Sequence, residues 1–265
     1  MRLRLAAVVV LVAALTACRS DRVDLVYRFE EGDELRYRLE ADAATRWNLG
    51  EPGSGSYRAE FTVTETVRAA SGDEAIVAVT VDPVSVEGRG LLPPGGETRT
   101  FELRVGARGQ LLEVLEVDGA PATGFDPDEL AFINTARPKL PVDPVRLRQS
   151  WPAEQQLRLA ATTQELAVDG RLAGLGLDDG RAAARLTFTG AGPLTRTTQV
   201  QLGDAELVGS SSTTGAAVLD LDGGYLTSAS SRTESDFEVR VLPEDGAPLS
   251  GTLHTELRLE LTLLD

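Results

Sequence analysis

Apolar and polar residues alternate with a period of two along most of this chain, and no other feature restricts its fold as much. "ELRYRLEA" (34–41) puts Leu35, Tyr37 and Leu39 on one side and Arg36, Arg38 and Glu40 on the other. "YRAEFTVTETV" (57–67), "EAIVAVTV" (74–81), "TFELRV" (100–105) and "LHTELRLELTLL" (253–264) repeat the pattern. Successive side chains of an extended strand point to opposite faces, so half-buried antiparallel strands explain the alternation better than any helical stripe. "ASGDEA" (70–75), "VGARGQL" (105–111) and "DLDGGYL" (220–226) supply the glycines that hairpin turns use. The expected fold class is all-β: curved antiparallel sheets, half-barrel-like, built from two related halves.

One segment reads differently. "FDPDELAFINTARP" (125–138) offers Asp126 as N-cap, Pro127 at the first helical position and Glu129 three residues after the cap, with Pro138 as a stop. That combination predicts a short helix near 126–136. The proline-rich "PKLPVDPV" (138–145) then reads as an extended connection between an N-terminal β half (25–137) and a C-terminal β half (138–265). Whether these are two domains or one continuous domain stays open. The strand–turn–strand phrases "TFELRVGARGQLLEV" (100–114) and "AAVLDLDGGYLTSAS" (216–230) fit a diverged duplication, and equally the matches any β protein yields.

The N-terminus has another character. Arg2 and Arg4 precede an uncharged apolar run from Leu5 to Ala17, and Cys18 follows. This is the layout of a secretory signal over residues 1–17, with an apolar core too short for a spanning helix. Leu15-Thr16-Ala17-Cys18 resembles the lipobox of bacterial lipoproteins. The resemblance implies a diacylglyceryl group on the Cys18 thiol, cleavage before Cys18, and a tether over 18–24. The protein would then sit on the extracytoplasmic face of a membrane in a bacterial cell envelope. Two or more acyl chains hold a protein on a bilayer where one would dissociate. Which membrane is undecided, although Arg19 after the cysteine permits outer-membrane sorting.

Three longer phrases, "FEEGDELRYRLEA", "LPVDPVRLRQSW" and "GAAVLDLDGGYLTSASSRTESDFEV", together resemble an uncharacterised domain-of-unknown-function family of secreted, β-rich bacterial proteins and lipoproteins. The middle phrase departs from that family, with Arg148-Gln149 where Gly-Asp is usual and Ser150-Trp151 retained. The resemblance implies a fold and a location, and it brings no catalytic motif.

Charge narrows the partners. The 265 residues carry 26 basic and 41 acidic side chains, a net charge of −15, and loss of Arg2 and Arg4 makes the mature chain more acidic still. Such a surface repels nucleic acid and anionic headgroups, so no nucleic-acid partner is expected. Attachment to the membrane would rest on Cys18, the one cysteine, which leaves no thiol for a disulfide.

Candidate chemistry is sparse. The one histidine, His254, lies on the polar side of its strand and reads as an exposed strand residue rather than a base. "GSSSTTG" (209–215) lacks the context of a nucleophilic serine and reads as a flexible loop. The pairs Asp126/Asp128, Asp178/Asp179 and Asp220/Asp222 complete no calcium loop and read as caps and turns, so no metal and no cofactor are expected. Trp47 and Trp151 are candidate ligand-binding residues flanking one hydrophobic mouth, or else strand-end core plugs. The leading functional expectation is a lipid-anchored, non-enzymatic envelope protein whose concave sheet binds a hydrophobic ligand, a lipid or a protein partner. The alternative is a structural or protein-interaction module of the envelope, with an envelope-polymer hydrolase ranked below both.

Overall fold

The computed structural model describes residues 22–89, 97–122, 137–153, 155–159, 162–200, 203–242 and 247–264. Among these residues every regular element is a strand. They are β1 (Arg22–Val23), β2 (Glu34–Leu49), β3 (Glu51–Ser71), β4 (Glu74–Arg89), β5 (Arg99–Gly106), β6 (Leu111–Val117), β7 (Ala120–Pro121) and β8 (Val145–Arg146). The second half continues with β9 (Ser150–Pro152), β10 (Gln155–Leu159), β11 (Thr162–Leu166), β12 (Val168–Asp178), β13 (Arg181–Val200), β14 (Gly203–Asp220), β15 (Leu226–Leu242) and β16 (Leu249–Leu264).

Twelve of these form one antiparallel sheet in the order β7-β6-β5-β4-β3-β2-β16-β15-β14-β13-β12-β9. The chain starts at the middle of the sheet and walks to one edge. It then crosses to the opposite edge and walks back, so that β16 closes on β2 through thirteen residue pairs from Leu264↔Arg36 to Thr252↔Asn48. Each half therefore crosses the sheet in the same direction. β3 has 21 residues, a run of roughly 70 Å where most strands span about 20 Å. Bulges at Glu60/Phe61, Val67/Ala69, Leu172/Gly174 and Val218/Leu219 bend these long ribbons.

The curl brings the two edges of the sheet into one core. Phe101, Leu103 and Val105 of β5 belong to the same buried cluster as Trp151 of β9 and Leu172 of β12. The N-terminal segment and the crossover plug the end of the trough where that cluster lies. Leu25, Tyr27, Leu140 and Val145 are all buried there, and β1 pairs with β8 through Val23↔Val145. The plug is stitched to both sides: the Tyr27 amide donates to Ala107 O at 2.8 Å and the Leu140 amide to Arg108 O at 2.9 Å. On the opposite wall the Trp151 indole Nε1 donates to Lys139 O at 3.1 Å.

The expected fold class needs one correction. The all-β antiparallel reading holds, but no helix occurs among the described residues, and the segment 126–136 itself lies outside them. From 137 up to β8 the crossover is irregular, with bends at Arg137, Val142 and Asp143, consistent with Pro138, Pro141 and Pro144. A capping pattern specifies where a helix would start, not that a helix forms, because a helix this short depends on packing for its stability. "GSSSTTG" is also reassigned: residues 209–215 lie in the middle of β14, paired on both sides. Its hydroxyls alternate like any strand, with Ser211 and Thr213 buried and Ser210, Ser212 and Thr214 facing out.

Candidate ligand-binding site

Register makes the inner face legible as transverse rows. The row Phe188, Gly215, Ser231, Leu259, Ala41, Ala59 runs across six strands from β13 to β3. Two steps further along the strands the row becomes Gly192, Ser211, Ser235, Thr255, Thr45, Gly55, small or hydroxylic at every position. The next row is Leu194, Gly209, Phe237, Leu253, Trp47, Gly53. The inner face thus carries a large apolar core, a hydroxyl belt, and a smaller apolar cluster of Leu194, Leu207, Phe237 and Val239 with Leu49 and Leu253 packed against it. In the belt Ser235 Oγ donates to Ser211 Oγ at 3.0 Å, Ser211 Oγ to Glu234 O at 3.3 Å and Thr233 Oγ1 to Thr213 Oγ1 at 3.1 Å.

At the end of the trough away from the plug, the inner face is incompletely covered. β9 and β5 do not extend that far along the trough, since β5 pairs only with residues 74–81 of β4. Trp47, Leu49, Tyr57, Leu253 and Leu257 face inward yet remain half-exposed, and Val86, opposite buried Ala59, is 37% exposed. A broad hollow of about 790 Å³ lies at this end of the sheet, lined mainly from the outward-facing pleat positions, Arg46, Asp236 and His254 among them, with Trp47, Phe237 and Leu253 contributing between them. His254 Nδ1 lies 2.7 Å from Asp236 Oδ1, and Arg46 stands next to His254 in register. Among the described residues the His254 partner is Asp236 alone, a cross-strand polar contact.

The plugged end holds a second cavity, of about 380 Å³. Tyr37 and Glu65 point into it from the inner faces of β2 and β3, Tyr27 and Phe29 from the N-terminal segment, Arg137 from the crossover and Tyr225 from the β14–β15 turn. Glu65 pairs with Arg137, with only 12% and 18% of the two side chains exposed. The Arg137 guanidinium also lies 5.5 Å from the centre of the Tyr27 ring, and Tyr27 donates its hydroxyl to Pro138 O at 2.9 Å. Burial pushes the Tyr27 and Tyr37 phenols well above their ordinary range, with the Arg137 guanidinium opposing the rise and the Glu65 carboxylate adding to it. Across the turn, Asp220 is buried and accepts the amides of Asp222 and Gly223 at 2.9 and 2.8 Å, so its carboxylate shapes the hairpin.

The sequence-derived candidates are therefore not brought together. Trp47 lines the open hollow. Trp151 is buried at 6% exposure and packs edge-to-face on Phe188 with ring centres 6.1 Å apart. Cys18 lies outside the described residues. Glu65 and Arg137 escaped the sequence reading, although Glu65 had left a signal: it occupies an apolar-side position in the series Tyr57, Ala59, Phe61, Val63, Glu65, Val67. Among the described residues no group of three or more His, Cys, Asp or Glu is placed to hold a metal ion.

No protein-family model matches the chain, and no curated protein matches it. Among solved structures, one entitled "Lipid-protein interactions in lipovitellin" is similar over 90% of this chain at 15% identity, with a TM-score of 0.46. This chain spans 26% of that much longer one. The outer membrane protein opdK from Pseudomonas aeruginosa is similar over 88% of this chain and 99% of its own, at 8% identity and a TM-score of 0.22. Neither likeness is close enough to transfer a ligand or a role.

Proposed function

We propose that this is a non-enzymatic, lipid-anchored protein of the bacterial cell envelope that holds a hydrophobic ligand or lipid on the concave face of its sheet. The observation that carries the reading is the inward row around Trp47 and Leu253, where apolar side chains face the trough and stay half-exposed. Contiguous apolar surface of this kind marks a binding region more often than a fold defect. Cys18 is the anchor in this proposal, Trp47 contacts the ligand, and Trp151 supports the wall.

Native mass spectrometry of the purified full chain tests the ligand. A discrete lipid mass should accompany the protein, and brominated lipid should quench Trp47 fluorescence. Repeated absence of any bound lipid, together with unquenched Trp47, would overturn the proposal. The anchor has a separate test: Cys18→Ala should abolish incorporation of a fatty-acid probe in cells, and unchanged labelling would refute it.

A further inference from the structure

The cavity at the plugged end has a chemistry distinct from the open hollow. Among the described residues the Tyr37 hydroxyl has no hydrogen-bond partner, although Tyr37 is only 3% exposed and lines the cavity beside Glu65 and Arg137. A buried hydroxyl without a partner forfeits its solvation with no return, so a polar atom in the cavity would recover part of it. The walls around it are apolar and aromatic, from Phe29, Leu35, Val67 and Tyr225. The mouth is acidic: Glu30, Asp33, Glu34 and Asp222 are exposed there against Arg28 alone. Arg28 is itself occupied at the turn, where it donates to Asp222 O at 2.5 Å.

These features select among ligand classes. An anion is repelled at the mouth, and a pure hydrocarbon leaves the Tyr37 hydroxyl unpaired. Inside the cavity the Arg137 charge is taken up by Glu65, so the carboxylates at the mouth set the sign: an ammonium group is drawn in by them, packs favourably against the aromatic walls and donates to the Tyr37 oxygen. The volume of about 380 Å³ suits a small amphipathic molecule. We infer that the cavity formed by Tyr37, Glu65, Phe29 and Tyr225 is a binding site for an organic ammonium ion with a compact apolar body, independent of the lipid-binding face proposed above.

Isothermal titration of the purified full chain with phenethylammonium tests this, with phenylacetate and 2-phenylethanol as anionic and neutral analogues of the same size. Phenethylammonium should saturate at one per chain and bind about tenfold tighter than either analogue. Tyr37→Phe should weaken it about fivefold while leaving the melting temperature of the unliganded protein unchanged or raised, because no hydrogen bond is lost. Glu30→Gln combined with Glu34→Gln, both exposed, should weaken binding and flatten its salt dependence. Equal binding of the three compounds would overturn the inference, as would undiminished binding to Tyr37→Phe or a lowered melting temperature of that unliganded variant. Vesicles of phosphatidylethanolamine that displace phenethylammonium where phosphatidylglycerol vesicles do not would identify a headgroup amine as the source. Displacement by neither identifies a free amine.

Discussion

The indole of Trp47 lies over Gly53 across the β2–β3 pair, and the indole of Trp151 lies over Gly170 across the β9–β12 pair. In both places a Cβ on the glycine would collide with the ring. The surroundings differ, since Trp151 is held in the core by Phe188 and Lys139 O whereas Trp47 borders the hollow. Gly170→Ala should therefore cost about 2 kcal/mol in urea unfolding, as overpacking does where nothing can yield. Gly53→Ala should cost less, because Trp47 can swing into open space, and should shift Trp47 fluorescence. A larger loss at Gly53 than at Gly170 would show that the open hollow is as rigid as the core.

The Glu65–Arg137 pair ties β3 to the crossover inside a mostly apolar environment. Removing one partner leaves the other charge buried, so Glu65→Gln should destabilise by about 3 kcal/mol. Replacing both with leucine should recover most of that loss, because two apolar groups leave no charge to solvate. Denaturant unfolding of the two variants checks the ranking. A double variant weaker than the single one would show that the pair adds more than its desolvation costs.

Much of the sheet could be read from the alternation alone: Leu35, Tyr37 and Leu39 predicted β2, and the glycines of 70–75 and 105–111 predicted the turns that close β3–β4 and β5–β6. What escaped had a physical cause. Composition suggested a loop at 209–215, but serine and threonine are tolerated in a strand when hydroxyls bond across it, as Ser211 and Ser235 do. The curl that brings β5 to β9 depends on bulges and on which small residues share a row, and rows exist only once register is known. The plugged cavity joins residues from 27 to 226 that no local pattern links. Its one sequence trace was a carboxylate, Glu65, in line with valines.

The hydroxyl belt makes a coupling prediction. Ser211 is 3% exposed, receives the Ser235 hydroxyl and passes its own proton to Glu234 O. Ser211→Ala strands the buried Ser235 hydroxyl and should cost about 1–2 kcal/mol. Ser235→Ala should cost about 1 kcal/mol, since Ser211 keeps its carbonyl acceptor. The double variant should cost less than the sum, with a coupling of about 0.5–1 kcal/mol in a double-mutant cycle. Strict additivity would mean that the two hydroxyls do not bond to each other in solution.

Alkaline pH gives the last test. The chain's four tyrosines, Tyr27, Tyr37, Tyr57 and Tyr225, all have phenols raised above the ordinary value of 10.0, each chiefly by burial. A group with a higher pKa folded than unfolded binds its proton more tightly in the native state. Its stabilising effect is complete below the unfolded value and is lost as pH rises through the folded one. Stability should therefore hold up to about pH 10 and fall steadily above it. Tyr57 and Tyr225, less enclosed, should ionise first, and the phenolate absorbance of Tyr27 and Tyr37 should appear only together with loss of the β-sheet circular dichroism. Tyr37→Phe should remove one of the two late phenolates and shift the alkaline transition upward. Four phenols ionising together near pH 10 with the sheet intact would mean that water reaches the plugged cavity freely, and that its tyrosines are not sealed as this geometry requires.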